Sequence, residues 1–276
     1  MTETTTPPIP RWRMITFWVL LVVLLFLHLG ERPQQLSFVV TAFGGFPAGE
    51  GATHEMHWFA QGVFVWAIVA AVVAQLRRPA AQVGAAWVYG AGTVLAFTMV
   101  LALADLPADV VPIIAVAIVI AAIAFVAHPS SWRAKFTPVA TPSRTLFALT
   151  AIAAVPMVIY AIGQLDIHLG SGPHDEHYEF GHWVVMAVYA LLVPLFGAVA
   201  AWKVSGWRFP LWVAGLMAAA LGVGSLGITA VSQLSTLWSL LAIAWGAAFI
   251  ALGELEARQQ GPRDQSAPIG RRPVAR

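Results

Sequence analysis

Two short stretches gather most of the imidazole and carboxylate groups of this chain: Glu50-Gly-Ala-Thr-His54-Glu-Met-His57-Trp58 and His174-Asp175-Glu-His177-Tyr-Glu179-Phe-Gly-His182-Trp183. His57 and His182 are 125 positions apart, and the same offset pairs Trp58 with Trp183, Glu50 with Asp175, Trp87 with Trp212, Val88 with Val213 and Gly90 with Gly215. It also sets His54 against Glu179, so each stretch presents a pair at i and i+3: His54 with His57, and Glu179 with His182. Residues three apart share one face of a helix. Brought together across the two halves, they would make a set of three imidazoles and one carboxylate.

Imidazole with carboxylate suits zinc, copper or iron. His54, His57, Glu179 and His182 are the direct ligand candidates, with Glu50, His174, Asp175 and His177 as alternative or supporting donors. The chain contains no cysteine, which removes thiolate metal sites, disulfides and cysteine nucleophiles. His57 and His182 also suit a second chemistry, as axial ligands of haem or as groups touching a quinol. A histidine before a tryptophan at the start of an apolar segment is also a plain interfacial anchor.

The elements that must position these groups are membrane spans. Of 276 residues, 59% are hydrophobic and 10% charged, and mean hydropathy is +0.77; that balance excludes an ordinary soluble surface. A helix needs about 20 apolar residues to cross a bilayer. On that scale, all-α spans are expected near 14–30, 58–76, 82–104, 109–127, 145–164, 183–202, 210–230 and 236–253. Arg11 and Arg13 before the first apolar run resemble a signal peptide, but no small-x-small cleavage pattern follows Leu27-His28-Leu29-Gly30.

Alternate loops should carry the lysines and arginines. With the N-terminus inside, 14 of the 15 basic residues are cytoplasmic and only Arg32 is outside. Nine of the 13 acids, and every histidine but His128, then face outward, giving an outer face that attracts cations. This orientation suits a multi-pass protein of the plasma membrane with both termini in the cytoplasm. Because four spans separate the matched stretches, the halves are expected to be parallel repeats about a pseudo-two-fold axis along the membrane normal. The expected divisions are a disordered leader over 1–13, a first repeat over 14–128, a linker over 129–144, a second repeat over 145–253 and a disordered basic tail over 254–276. The loop stretch Phe38 to Phe46 is too short to span and is expected to lie at the interface or over the bundle mouth.

Few ionisable residues fall inside the spans, which disfavours a coupled ion or proton pathway. Walker, Gly-x-Ser-x-Gly and dinucleotide fingerprints are absent, and the basic tail is explained without nucleic acid, by solvation and contact with anionic lipid. In layout the chain resembles the haem A synthases: four plus four spans, with histidines at the outer ends of the second and sixth and an acid just before each. Glu179-Phe-Gly-His182 matches that family's Glu-x-x-His pattern, and Glu55-Met-His57 is one residue tighter. The resemblance implies a haem held between histidines. Since 109–127 and 236–253 contain none, His28, His168 or the opposite half would supply the partner. The sequence thus carries three readings: a metal site at the outer face, a haem- or quinol-linked redox site, and a scaffold with no chemistry of its own whose membrane partners are not specified.

Overall fold

The computed structural model describes residues 10–29, 39, 52–170, 178 and 181–260. Among these the chain is all helical, with α1 (Arg11–Leu29), α2 (Ala52–Ala74), α3 (Val83–Leu103), α4 (Val110–Ala127), α5 (Arg144–Leu169), α6 (His182–Trp202), α7 (Arg208–Gly227) and α8 (Thr236–Gln260). All eight are long and apolar enough to cross a membrane.

Burial sorts the helices into two layers. In the apolar windows of α2, α3, α6 and α7, between 44% and 72% of residues are buried, against 17% to 28% in α1, α4, α5 and α8. The inner four pack on one another, α2 against α6 and α7 and α3 against α6 and α7. Around them, α1 and α4 flank one side, while α5 lies on α6 and α8 on α7. The outer helices present exposed apolar side chains, such as Val19, Val22 and Phe26 on α1 and Val155, Ile159 and Ile162 on α5. Such a face is stable in hydrocarbon, where every backbone group is already paired within its helix.

Small residues set how closely the outer helices α4 and α8 approach the inner ones. A Cβ added at Gly246 of α8 would collide with the Gly215 carbonyl oxygen of α7, and one at Gly222 with the Ser239 carbonyl oxygen. In the same way Gly90 of α3 lies against Phe125 of α4, and Gly215 against Ile250. Residues Val88–Gly92 of α3 form a buried π turn.

The α2–α3 and α6–α7 turns meet at one end of the bundle, opposite His54, His57 and His182, with Gly84 N–H donating to the Ser205 carbonyl. Arg78 (φ 51°) and Lys203 (φ 57°) are the non-glycine residues of positive φ among those described. Gly206 (φ 73°) abuts the Ala81 carbonyl oxygen, which also accepts from Ser205 Oγ. Lys203 is buried; its Nζ lies 2.7 Å from Glu256 Oε2 and faces the Trp207 ring, while Ser143 Oγ donates to Glu256 Oε1 at 2.6 Å.

Several helix ends differ from the hydropathy ruler, for tertiary reasons. The leader expected over 1–13 gives way to helix from Arg11, where the Arg13 guanidinium is held by the His128 carbonyl. Helix α2 begins at Ala52 rather than 58, because Met56 and Phe59 are buried against Gly224 and Glu55 lies in the first turn, where a negative charge is favoured. Helix α5 runs to Leu169 rather than 164, because Gln164 and His168 face the core. Helix α8 continues past 253 into the expected tail, because Glu254 pairs with Arg208 and Trp212 and Glu256 with Lys203. The stretch around Phe38 to Phe46 lies outside the described residues, apart from Val39, which packs on the core.

Candidate metal centre and the cleft beneath it

The early start of α2 places His54 and His57 one turn apart on a formed helix, with His57 buried and His54 half-buried. His182 is the first residue of α6, preceded by Gly181 at φ 63°. A side chain there would be strained by that φ, and its Cβ would lie 2.6 Å from Ala104 Cβ. Gly181 thus turns the chain sharply into α6 against the end of α3 and delivers His182 to the face of α2.

Three rings meet there. The centroids of His54 and His182 are 5.2 Å apart, and those of His57 and His182 also 5.2 Å. Trp183 packs edge-on to His57 at 4.8 Å, and Trp58 lies 5.4 Å from His54. His57 Nε2 faces the Ser232 hydroxyl at 3.3 Å. The loop carrying Ser232 is pinned by Tyr160 Oη, which donates to the Ser232 carbonyl at 2.6 Å, and by Ser225 Oγ, which accepts from Leu234 N–H.

Two imidazoles bound tetrahedrally to one zinc at about 2.1 Å, with each centroid about 1.2 Å behind its nitrogen, lie about 5.4 Å apart. The observed centroid separations are close to that value and equally within the range of about 4.5–7 Å of ordinary aromatic contact. Among the described residues, however, no group of three His, Asp or Glu side chains is arranged to hold a metal ion. Glu179 and the other candidates Glu50, His174, Asp175 and His177 lie outside the described residues. The structure therefore brings together three of the four direct candidates.

Directly below, one and two turns further along α2 and α6, a cleft of about 110 Å³ opens between α1, α2, α3 and α6. Its walls include His28, Gln61, Phe64, Phe97, Val188 and Tyr189. The His28 Nδ1–H donates to the Leu24 carbonyl at 2.9 Å. A carbonyl only accepts, so a neutral His28 carries its lone pair on Nε2, 3.5 Å from Thr93 Oγ1. The ring stacks on Phe97 at 5.2 Å. Tyr189 Oη donates to the Met217 carbonyl at 2.9 Å.

His168 repeats the pattern in α5. Its Nε2–H donates to the Leu103 carbonyl at 2.8 Å and its ring stacks on Tyr178 at 4.7 Å. Its Nδ1, like Gln164 Oε1 and Tyr89 Oη, is buried without a hydrogen-bond partner among the described residues. In the sequence, His28 and His168 look like ordinary buried histidines. A signal was present: Leu27-His28-Leu29-Gly30 recurs as Ile167-His168-Leu169-Gly170, but at an offset of 140 rather than 125, so the main repeat conceals it.

At the opposite end, His128 is fully buried. Its Nδ1 lies 2.8 Å from Ser130 Oγ and its Nε2 3.2 Å from Gln75 Oε1. Burial first, then the nearby Lys135 and Arg13 charges, push its pKa down to about 3. Lys135, also buried, is lowered to about 8 by burial and by Arg13. Comparison with protein-family models, curated proteins and solved structures gives no match to this chain.

Proposed function

We propose that the chain is a plasma-membrane protein built from two parallel four-helix repeats, and that the outer junction of the repeats binds a transition metal. His54, His57 and His182 are its ligands, with Glu179, three residues before His182, as the fourth donor. Copper, zinc and iron all suit that set. Both termini lie in the cytoplasm in this reading.

The contacts of equivalent residues support the repeat. His57 meets His182 at one end and Ala81 meets Gly206 at the other; both pairs are 125 apart, as an axis passing between them would require. Gly90 on Phe125 is matched by Gly215 on Ile250, each residue shifted by 125, and Arg78 and Lys203 share the offset along with their left-handed backbone. Helices α3 and α7 start 125 apart, at Val83 and Arg208.

The observation that carries the metal reading is the pair of 5.2 Å separations among three imidazoles on two helices. His57 would leave Ser232 for the ion, and that hydroxyl would then hydrogen-bond beside the ligand set. The test is elemental analysis and a visible spectrum of detergent-purified protein beside a His57→Ala, His182→Ala double variant. About one copper, zinc or iron per chain in the wild type, lost in the variant, is the expected result. A wild type that stays metal-free after incubation with each ion would end the metal reading.

A redox reading is favoured by one separate feature, the cleft lined by His28 directly below the cluster. Haem bound between the outer histidines would give a Soret band in the same spectrum. A colourless, metal-free protein would leave the scaffold reading.

A further inference from the structure

We propose that the corner where the start of α1 meets the end of α4 seats the phosphate of one anionic phospholipid, whose acyl chains lie along the apolar faces of those two helices. Such a site rests on the chain's placement in a bilayer, as proposed above, and not on a bound metal.

Charge at this corner is unbalanced. The Arg13 guanidinium donates to the His128 carbonyl at 3.1 Å, and Lys135 Nζ donates to the Val126 carbonyl at 2.9 Å. Both cations therefore sit on the C-terminal end of α4, whose dipole carries about −0.5 of a charge. Two full positive charges against it leave about +1.5, and among the described residues neither cation is paired with a carboxylate. Lys135 is buried, facing the Phe125 and Trp132 rings at 5.2 and 5.3 Å. Burial, and then the Arg13 charge, push its pKa down to about 8. Lys135 thus acts through its field. Arg13 is only half-buried and supplies the contact, since the His128 carbonyl takes only one of its N–H groups.

The matching end of the other half shows what is missing. At the offset of 125, Lys203 corresponds to Arg78, Glu256 to Ser131 and Glu254 to Pro129. Lys203 pairs with Glu256 and Arg208 with Glu254, so the second half carries its own counterions where the first has a serine and a proline. Arg78, like Arg13 and Lys135, has no ion pair among the described residues. An anion from outside the chain fills that place, and what adjoins the corner fixes its source. Trp12 and Trp132 are exposed there, as aromatic residues at a headgroup layer are. Exposed apolar rows lead away from it, Ile15 and Val19 on α1 and Ile123 and Val119 on α4, and the two helices pack on each other. A free phosphate leaves those rows unused; a lipid covers them with its chains. The exposed Arg11 and Arg133, in the same turns as Arg13 and Lys135, repel the ammonium of a zwitterionic headgroup and so select a lipid of net negative charge.

The probes are dioleoyl phosphatidylglycerol and dioleoyl phosphatidylcholine, titrated onto delipidated full-length protein in detergent and counted by native mass spectrometry. A cation near an anionic lipid is worth about fivefold in binding, so two should favour one phosphatidylglycerol per chain by about 25-fold over phosphatidylcholine. Arg13→Gln should cut that preference about fivefold. Ser131→Asp keeps an acceptor for the Ala134 N–H and places a carboxylate where the other half has Glu256; it should cut the preference at least as much. Arg258→Gln removes the same charge from the exposed end of α8 and should leave it unchanged. Metal content of Ser131→Asp should match wild type, which tells a failed lipid site from a failed metal site, and a chain that stays in solution without detergent would instead refute its placement in a bilayer. Equal retention of the two lipids, equal losses in Arg13→Gln and Arg258→Gln, full preference in a folded Ser131→Asp protein, or displacement of phosphatidylglycerol by millimolar inorganic phosphate would each overturn the proposal. If Arg13→Gln does not fold, Ser131→Asp and Arg258→Gln still decide it.

Discussion

Glu256→Gln tests what holds α6 in register at the end far from its histidine. The Glu256 carboxylate accepts from Ser143 at 2.6 Å and pairs with Lys203 at 2.7 Å, and the lysine side chain is only 2% exposed. Removing one partner of a buried pair costs about 3–5 kcal/mol, because the other charge stays buried and unpaired. Glu256 itself is 22% exposed, so water reaches one side of the pair, and the Trp207 face remains beneath the ammonium at 5.0 Å. Both effects bring the cost to about 2–3 kcal/mol. For a chain of this size each kcal/mol moves the midpoint about 2–4 °C, so thermal unfolding in detergent should shift down by about 4–12 °C. The isosteric double variant Lys203→Met, Glu256→Gln removes the stranded charge and should recover most of that loss. If Glu256→Gln unfolds within about 1 °C of wild type, the lysine has another source of compensation and the ion pair does not hold this turn.

Gly246→Val should lower the midpoint far more than any polar change on α8, since its Cβ collides with the Gly215 carbonyl rather than with a movable side chain. Gly163→Ala on α5, where nothing lies within 4 Å of an added Cβ, should be neutral or stabilising by up to about 1 kcal/mol in the same assay. His128, held near pKa 3 against an ordinary value of 6.5, binds fewer protons folded than unfolded between those values. Its contribution is therefore intact above pH 6.5 and falls as pH drops, by about 2 kcal/mol at pH 5. Unfolding of wild type and His128→Gln at pH 7 and pH 5 should show a steeper loss for wild type, and parallel behaviour would contradict the assignment.

Much was written along the chain itself. Eight helices long and apolar enough to cross a membrane follow from runs of apolar residues, because that is a demand on composition and length that each segment meets alone. The offset of 125 is likewise a property of the string, and so are the pairs His54 with His57 and Glu179 with His182. What failed locally were helix ends that depend on distant partners. Hydropathy stops α8 at its first acids, yet Arg208 and Lys203, more than 40 positions away, neutralise Glu254 and Glu256 and let the helix run on.

Only the tertiary structure decided which helices are inner and which outer, since α4 is the most apolar span and among the least buried. Hydropathy measures tolerance for hydrocarbon, and lipid satisfies it as well as a protein core does. The meeting of His54, His57 and His182 depended on the helix–helix contact of α2 with α6 and on the turn at Gly181. The cleft depended on four helices at once, and the acceptor role of His28 on a single carbonyl at Leu24. The titratable groups can be read along the chain; their distances came from packing among residues far apart in it, which no local pattern encodes.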